Sequence, residues 1–138
     1  VGGLQGLLLR AGVNRSSRLL HVGCGNSAVT EALWKDGYTD VTHLDLSPVV
    51  IEQVSARLKH TGHAFEVGDI NALRFETGSF DVVLDKGGVD AVLTGGKRQG
   101  RQAIREIARV LRPGTGRFVM VSMGMPTRRL PDLQFPDA

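Results

Sequence analysis

Cysteine is nearly absent from this sequence of 138 residues, in which Cys24 stands alone. A disulfide within the sequence is therefore excluded, and a lone cysteine is typical of a reducing, intracellular compartment. The four histidines show none of the spacings that bind zinc and are scattered along the chain as His21, His43, His60 and His63. We therefore predict no metal site, and no histidine stands in sequence where it would activate a nucleophile.

Long apolar runs and a strong charge of either sign are missing as well. No stretch approaches the roughly 18 consecutive apolar residues of a membrane span, so we predict no membrane partner. Lysine and arginine together number 17 against 14 acidic residues, an excess that predicts nucleic-acid binding only if the charges are clustered. With 41% apolar and 22% charged residues, the composition is that of an ordinary globular domain.

The apolar pattern predicts strands that alternate with helices. The predicted strands cover residues 18–22, 41–46, 64–67, 80–84 and 117–122, and the predicted helices cover residues 4–11, 28–36, 48–60 and 98–111. Such alternation is typical of βαβ units, whose right-handed crossovers favour a mostly parallel, doubly wound α/β sheet with the order 3-2-1-4-5. We predict one domain over residues 1–124 and an extended tail over residues 125–138, which carries three prolines.

A glycine-rich segment follows the first predicted strand directly. Residues 23–28, GCGNSA, match the pattern G-x-G-x-x-A, and Asp45 stands 22 residues beyond Gly23, at the end of the second strand. Such glycines let a ligand approach the backbone, while an acid after the second strand accepts hydrogen bonds from ribose hydroxyls. The segment therefore favours an adenosine-containing cofactor over a tight structural turn. Cys24 is either a small residue that lines this loop or a reactive thiol at a helix N-terminus.

Two further acids follow later strands, where open α/β sheets bind their ligands. Asp69 comes after the third strand, where a carboxylate can accept from an adenine amino group while Ile70 packs on the ring; alternatively, Asp69 is a plain loop acid. Asp85 follows the fourth strand, and the tight turn at 112–114 leads from the last helix into the fifth strand. These features favour S-adenosylmethionine over NAD, because no residues indicate a hydride-transfer site.

Five segments carry a family resemblance: LHVGCGNS at 20–27, LDLS at 44–47, GD at 68–69, SFDVVLDKG at 79–87 and RVLRPG at 109–114. They resemble class I S-adenosylmethionine-dependent methyltransferases, and more narrowly the methyltransferase-like group that modifies lysines of elongation factor one-alpha or of citrate synthase. The segment LDKGGVDA at 84–91 is similar to that group's Asp-Lys-Gly-Thr-Leu/Trp-Asp-Ala signature, with Gly88 and Val89 in place of the threonine and the larger apolar residue. The resemblance implies a Rossmann-like fold. The sheet of that family continues with two further strands, which we expect this chain to lack.

The resemblance also implies the site residues. It assigns cofactor binding to residues at or just after the ends of the first four strands: Gly23, Cys24, Gly25, Asn26, Asp45, Leu46, Ser47, Asp69, Ile70 and Asp85. Asp85 is in addition the candidate catalytic residue, an acceptor that orients the amine of a substrate lysine beside the methyl donor. The other role open to Asp85 is to bind the amino group of the cofactor's methionine part.

Positive charges lie along one side of the last predicted helix. At a helical spacing they fall within an arc of about 120° and comprise Lys97, Arg98, Arg101, Arg105, Arg109 and Arg112. Three interpretations stay open: a solvated outer face, a surface that binds an acidic protein, or a surface that binds RNA.

The sequence therefore predicts an S-adenosylmethionine-dependent methyltransferase whose substrate is a lysine side chain of a protein. The alternative is a non-catalytic, methyltransferase-like structural subunit of a larger assembly, such as a ribosome. The glycine segment, Asp45 and Asp69 favour the enzyme, whereas the altered residues Gly88 and Val89 and the basic helix favour the subunit.

Overall fold

The computed structural model describes residues 8–9, 12–23, 28–86 and 97–121. The strands are β1 (Leu19–Val22), β2 (Val41–Asp45), β3 (Ala64–Val67), β4 (Val82–Lys86) and β5 (Arg117–Val121). The helices are α1 (Ala28–Lys35), α2 (Pro48–Arg57) and α3 (Lys97–Val110), with a 3₁₀ turn at Lys59–Thr61. Among these described segments, no helix is long and apolar enough to cross a membrane.

All five strands run parallel, in the order β3-β2-β1-β4-β5. This confirms the predicted doubly wound α/β sheet. The central strand β1 pairs with both β2 and β4, so that Val22 lies between Leu44 and Asp85. Because the strands are parallel, their carboxyl ends meet at one edge of the sheet, the carboxyl edge, and their amino ends meet at the opposite, amino edge. Right-handed crossovers place α1 and α2 on one face and α3 on the other.

Two apolar clusters cover the two faces of the sheet. The α3 cluster consists of Leu20, Val22, Leu44, Leu73, Phe80, Val83, Ile104, Ile107, Val110 and Leu111. The α1 cluster consists of Leu8, Val13, Leu19, Val29, Leu33, Tyr38, Val41, Val82 and Leu84. Successive residues of β1 and β4 alternate between the clusters, which is why these central strands are nearly continuous apolar runs in the sequence.

The local signals for helix ends are present where the sequence predicts them. Ser47 is the N-cap of α2, since its hydroxyl accepts a hydrogen bond from the N–H of Val50 at 3.2 Å, and Pro48 occupies the first turn. Gly37 follows α1 with a φ of 93°, in the left-handed region that favours glycine. The predicted helix to His60 is too long, because α2 ends at Arg57 and the 3₁₀ turn follows.

The fourth strand begins two residues later than predicted. Phe80 pairs with Leu111 in an isolated parallel bridge, and its N–H donates to the main-chain oxygen of Val110 at 2.9 Å. The strand β4 itself runs from Val82 through Asp85 to Lys86. The apolar pattern cannot separate the two, because Phe80 is only 6% exposed, like the strand residues that follow it.

Some sequence predictions fall outside the described residues. Of the helix predicted over 4–11, Leu8 and Leu9 are described, and both are helical. The tail over 125–138 and the altered motif positions Gly88 and Val89 are not among the described residues. These remain predictions from the sequence.

Candidate functional site at the carboxyl edge

The chain turns at Gly23, the first residue after β1. Its φ of 65° lies in the left-handed region, where a residue with a Cβ would be strained. The helix α1 then begins at Ala28. The predicted cofactor residues Cys24, Gly25 and Asn26 lie outside the described residues, so the turn at Gly23 is the part of the glycine segment that the structure places.

Asp45 is the last residue of β2, and its carboxylate is oriented by its own loop. The carboxylate oxygen Oδ1 accepts a hydrogen bond from the N–H of Ser47 at 2.9 Å. The main-chain oxygen of Asp45 accepts from the N–H of Gly68 at 3.0 Å, which ties the end of β2 to the loop after β3. A carboxylate fixed at this edge can accept hydrogen bonds from ribose hydroxyls.

Leu46 and Ser47 continue the chain beyond Asp45 with different roles. The Leu46 side chain is 70% exposed, so an apolar surface lies beside a carboxylate at the edge where a ligand is expected. The Ser47 hydroxyl is engaged in capping α2, and its N–H orients Asp45. Ser47 therefore orients Asp45, and its direct contact with a cofactor remains a prediction.

The loop after β3 is held tightly while its acid stays exposed. A Cβ at Gly68 would come within 2.7 Å of Cδ1 of the buried Leu44, so a larger residue there would require Leu44 to shift. Oδ1 of the exposed Asp69 accepts from the main-chain N–H of Asn71 at 2.9 Å and from its amide at 3.3 Å. Ile70 packs against the α3 cluster. These contacts are compatible with both predicted roles of Asp69, the adenine acceptor and the loop acid.

Asp85 differs from the other two acids because it is fully buried. It lies inside β4, in register with Val22 of β1 and Met120 of β5, and its exposed fraction is 0%. The prediction that the strand ends at Leu84, directly before this acid, is therefore wrong by two residues, since β4 continues through Asp85 to Lys86.

The described residues contain no group of three or more histidine, cysteine, aspartate or glutamate side chains arranged to hold a metal ion. A depression of about 350 Å³ lies at the amino edge, lined among others by Ser16, Asp81, Arg112 and Arg117. It is at the opposite end of the strands from Asp45 and so does not mark the predicted cofactor site.

The positive charges predicted along one side of α3 form the basic stripe. The prediction that Arg109 belongs to this stripe is wrong. The Arg109 guanidinium donates to the Glu106 carboxylate at 2.8 Å and to the main-chain oxygens of Leu73 and Phe75, each at 2.8 Å. The hydrogen bond from Arg109 also lowers the pKa of Glu106. Arg109 thus fastens the connection between β3 and β4 onto α3. Helical periodicity gave its direction on the helix but not the loop that packs against it.

The remainder of the stripe is smaller than predicted. Arg101 and Arg105 are exposed, and Arg112 is exposed but has its guanidinium 3.9 Å from the Asp81 carboxylate. The side chains of Lys97 and Arg98 are not among those described. Within the described part of the helix, the solvent-facing positive surface therefore consists of Arg101 and Arg105.

Sequence reasoning missed a cluster of three histidines. His21, His43 and His63 meet in the interior, where their ring nitrogens lie within hydrogen-bonding distance of one another. One signal was available: His21 and His43 each stand two residues before the residue predicted to contact the cofactor, Gly23 or Asp45. Equivalent positions on adjacent parallel strands are neighbours.

A family model for a methyltransferase domain matches residues 20–120 of the chain. This range contains all of β2, β3 and β4 and all but one residue each of β1 and β5. It also contains Gly23, Asp45, Asp69 and Asp85.

Curated relatives point to the same family. The chain is 39% identical over 130 residues to EEF1A lysine methyltransferase 4 of Bos taurus. The matched region covers 86% of this chain and 51% of that protein. It is 38% identical over 117 residues to the eEF1A lysine and N-terminal methyltransferase of Mus musculus. Here the matched region covers 80% of this chain and 17% of that protein. The chain thus spans about half the length of the bovine relative.

Solved structures share the fold. The PH0226 protein from Pyrococcus horikoshii superposes with a TM-score of 0.71 at 28% identity, over 85% of this chain and 53% of that one. An S-adenosylmethionine-dependent methyltransferase from Mesorhizobium loti superposes with a TM-score of 0.68 at 24% identity, over 88% and 54%. The chain therefore belongs to the methyltransferase-domain family, whose Rossmann-like fold it has and whose cofactor is S-adenosylmethionine.

Proposed function

We propose that the protein binds S-adenosylmethionine at the carboxyl edge and transfers its methyl group to the side-chain amine of a protein lysine. The observation that carries the proposal is the oriented carboxylate of Asp45 beside the Gly23 turn. Two relatives at 38% and 39% identity are named as lysine methyltransferases of eEF1A. Their names support a protein lysine over a small molecule as the acceptor.

The residues of the carboxyl edge suit the parts of this cofactor. Asp45 would accept from the ribose hydroxyls, and the exposed Leu46 would cover one face of the adenine ring. Asp69, exposed one strand further along the sheet, would accept from the adenine amino group. The turn at Gly23 would bring the main chain close to the ligand without a side chain in the way.

The cofactor, when bound, supplies a methyl group already activated on a positively charged sulfur. The protein's own contribution is then to position the acceptor and to exclude water. A lysine amine with a pKa of about 10.4 is almost wholly protonated at neutral pH and must lose its proton before its nitrogen can bond to the methyl carbon. Asp85 is our candidate for orienting that amine, and holding the amino group of the cofactor is its other role.

A protein substrate would need a docking surface besides the site. Arg101 and Arg105, exposed on α3, are our candidates for contacting an acidic segment of that substrate. An RNA partner at the same surface would show a steep loss of binding with salt, because each neutralised phosphate releases counterions. We place the reaction inside the cell, in keeping with the single cysteine.

Calorimetric titration of the purified protein with S-adenosylmethionine, with its demethylated product and with NAD tests the cofactor part. Binding of both sulfur ligands and not of NAD is expected. The acceptor part is tested by incubating the protein with radiolabelled S-adenosylmethionine and purified eEF1A, followed by mass spectrometry of the labelled peptides. Label on a lysine supports the proposal. Cofactor binding without any label on eEF1A contradicts that substrate, and absence of cofactor binding favours the non-catalytic subunit.

A further inference from the structure

Three of the four histidines form a continuous line in the interior. Nδ1 of His21 lies 3.1 Å from Nδ1 of His43, and Nε2 of His43 lies 2.9 Å from Nδ1 of His63. The line ends where Nε2 of His63 lies 2.7 Å from the main-chain oxygen of Tyr38. We call these three residues, with the Tyr38 carbonyl, the histidine chain. His60 is exposed and stacks edge-on against Trp34 instead.

The histidine chain runs across the sheet beneath the cofactor site. His21 of β1 and His43 of β2 are directly opposite in the parallel register. His63 immediately precedes β3, and the Tyr38 carbonyl belongs to the segment between α1 and β2. The contacts therefore join three neighbouring parts of the sheet at a level two residues below Gly23 and Asp45.

The carbonyl at the end of the line fixes where each proton lies. A carbonyl oxygen can only accept, so Nε2 of His63 must carry a proton, and Nδ1 of a neutral His63 must accept. Nε2 of His43 must then donate to it, which makes Nδ1 of His43 the acceptor for an N–H on Nδ1 of His21. Three neutral rings satisfy all three hydrogen bonds in one arrangement, and the bonds run in one direction from His21 to Tyr38.

The surroundings of His43 and His63 favour their neutral forms. His21, His43 and His63 are all buried, and burial lowers the pKa of His43 to about 2, with contributions from His21 and His63. Burial also lowers the pKa of His63, against the opposing effect of its hydrogen bond to Tyr38. The β3 residue in contact is Phe65, which stacks on His43 at 5.0 Å. Among the described residues, the titratable groups that act on the pKa of His43 are His21 and His63.

We propose that the histidine chain is a positioning network for the cofactor site, which holds β1 against β2 so that Gly23 and Asp45 stand at the right separation. Main-chain pairing alone fixes the register of two strands, but side-chain bonds at His21 and His43 restrict how far the strand ends can shift or twist apart. The proposal rests on binding of S-adenosylmethionine at that edge. His21, His43 and His63 are positioning residues in it, since they act through Gly23 and Asp45.

Nitrogen NMR of the histidine side chains tests the arrangement of protons directly. The expected spectrum of the protein with 15N-labelled histidine shows one ring protonated at Nδ1, assigned to His21, and two rings protonated at Nε2, assigned to His43 and His63. His43 should remain neutral at pH 6. A His63 ring protonated at Nδ1, or a positively charged His43 ring at pH 6, would overturn the proposal.

Two substitutions at the centre separate positioning from packing. His43→Gln keeps one acceptor atom and one donor atom bonded to the same carbon, as the two ring nitrogens of a neutral imidazole are. His43→Leu leaves Nδ1–H of His21 and Nδ1 of His63 without this partner. Affinity for S-adenosylmethionine at pH 7.5 should fall about five- to tenfold in His43→Leu and by no more than about twofold in His43→Gln. His60→Gln is the matched control and should leave the affinity unchanged.

The opposite order of the two variants contradicts the proposal. If the position serves packing alone, leucine should be tolerated better than a buried glutamine, and affinity should be higher in His43→Leu. If neither variant folds, the NMR spectrum of the unsubstituted protein still decides the proton arrangement. If the unsubstituted protein does not bind S-adenosylmethionine, the proposed function and the positioning role both fail, even with the expected tautomers in the spectrum.

Discussion

The two edges of the sheet use the same kinds of residue in different ways. At the amino edge, the Asp81 carboxylate accepts from the main-chain N–H of Arg18 at 2.9 Å and from its guanidinium at 3.3 Å, and these bonds lower the pKa of Asp81. At the carboxyl edge, Asp45 and Asp69 accept from main-chain N–H groups of Ser47 and Asn71 in their own loops. An arginine neutralises the acid at one edge, and loop geometry orients the acids at the other.

Residue type alone therefore does not distinguish an acid that stabilises the fold from an acid that is a candidate ligand contact. An acid paired with an arginine inside the protein has its charge balanced within the fold. An acid oriented by main-chain N–H groups of its own loop can also accept from hydroxyl and amino donors of a ligand, because each carboxylate oxygen can accept more than one hydrogen bond. Substitutions at the amino edge should therefore change stability, and substitutions at the carboxyl edge should change affinity for the cofactor.

The largest effect on stability is expected from Arg109→Met, near the amino edge. The change removes hydrogen bonds from a charged donor to Glu106 and to the main-chain oxygens of Leu73 and Phe75. The free energy of unfolding in urea should fall by about 3 kcal/mol. Arg105→Met, on an exposed position of the same helix, is the control and should stay within about 0.5 kcal/mol. Equal losses in both variants would show that Arg109 belongs to a solvated stripe after all.

The next effect concerns affinity and should appear with Asp45→Asn. Asparagine can still accept from the N–H of Ser47, but it lacks the charge that strengthens bonds to ribose hydroxyls. Affinity for S-adenosylmethionine, measured by calorimetry, should fall about 10- to 150-fold with little change in unfolding free energy. Asp40→Asn changes an exposed acid at the amino edge and should leave the affinity alone. If Asp45→Asn lowers the unfolding free energy and leaves the affinity unchanged, Asp45 stabilises the fold, as Asp81 does, and does not contact the cofactor.

As the pH falls, the free energy of unfolding should first decrease because of the buried His43, and only at lower pH because of the paired carboxylates Asp81 and Glu106. The pKa of His43 is about 2 in the fold and about 6.5 in the unfolded chain, so below pH 6.5 the unfolded chain binds more protons. Stability is therefore lost as the pH falls from about 6.5 toward 2, and His43 alone accounts for about 1.4 kcal/mol between pH 7.5 and 5.5. Asp81 and Glu106 have lowered pKa values, so their contributions are lost only below about pH 4.

Urea unfolding at pH 7.5, 5.5 and 3.5 measures both ranges. Stability that stays constant from pH 7.5 to 5.5 contradicts the neutral histidine chain. His43→Gln should reduce the loss of stability between pH 7.5 and 5.5, because glutamine does not titrate.

The smallest effect is expected from Leu46→Ala at the carboxyl edge. Leu46 is 70% exposed, so its removal should not change the unfolding free energy, whereas loss of apolar cover on the adenine ring should weaken cofactor binding about two- to fivefold. Val49→Ala, 60% exposed on the first turn of α2, is the control. If both variants bind equally well, the adenine ring does not lie on Leu46.

Much of the fold could be predicted because it depends on local signals. The bounds of β3 agree with the prediction, and the cap at Ser47 and the turn at Gly37 stand where the sequence places them. The predicted start of β4 was wrong, because Phe80 is buried but pairs with Leu111 in an isolated bridge outside the sheet. An apolar residue is buried in either arrangement, so the pattern of apolar residues cannot distinguish them.

The sequence by itself determined the parallel sheet, its strand order and the acids at its carboxyl edge, since apolar periodicity, glycine turns and handed crossovers follow from short stretches of chain. Only the tertiary structure decided which polar side chains meet. Arg109 and the Leu73 carbonyl are 36 residues apart in sequence, and His21 and His43 are 22 apart. Register and packing bring such distant groups together, so a buried histidine or arginine acquires its role from partners that no local pattern identifies.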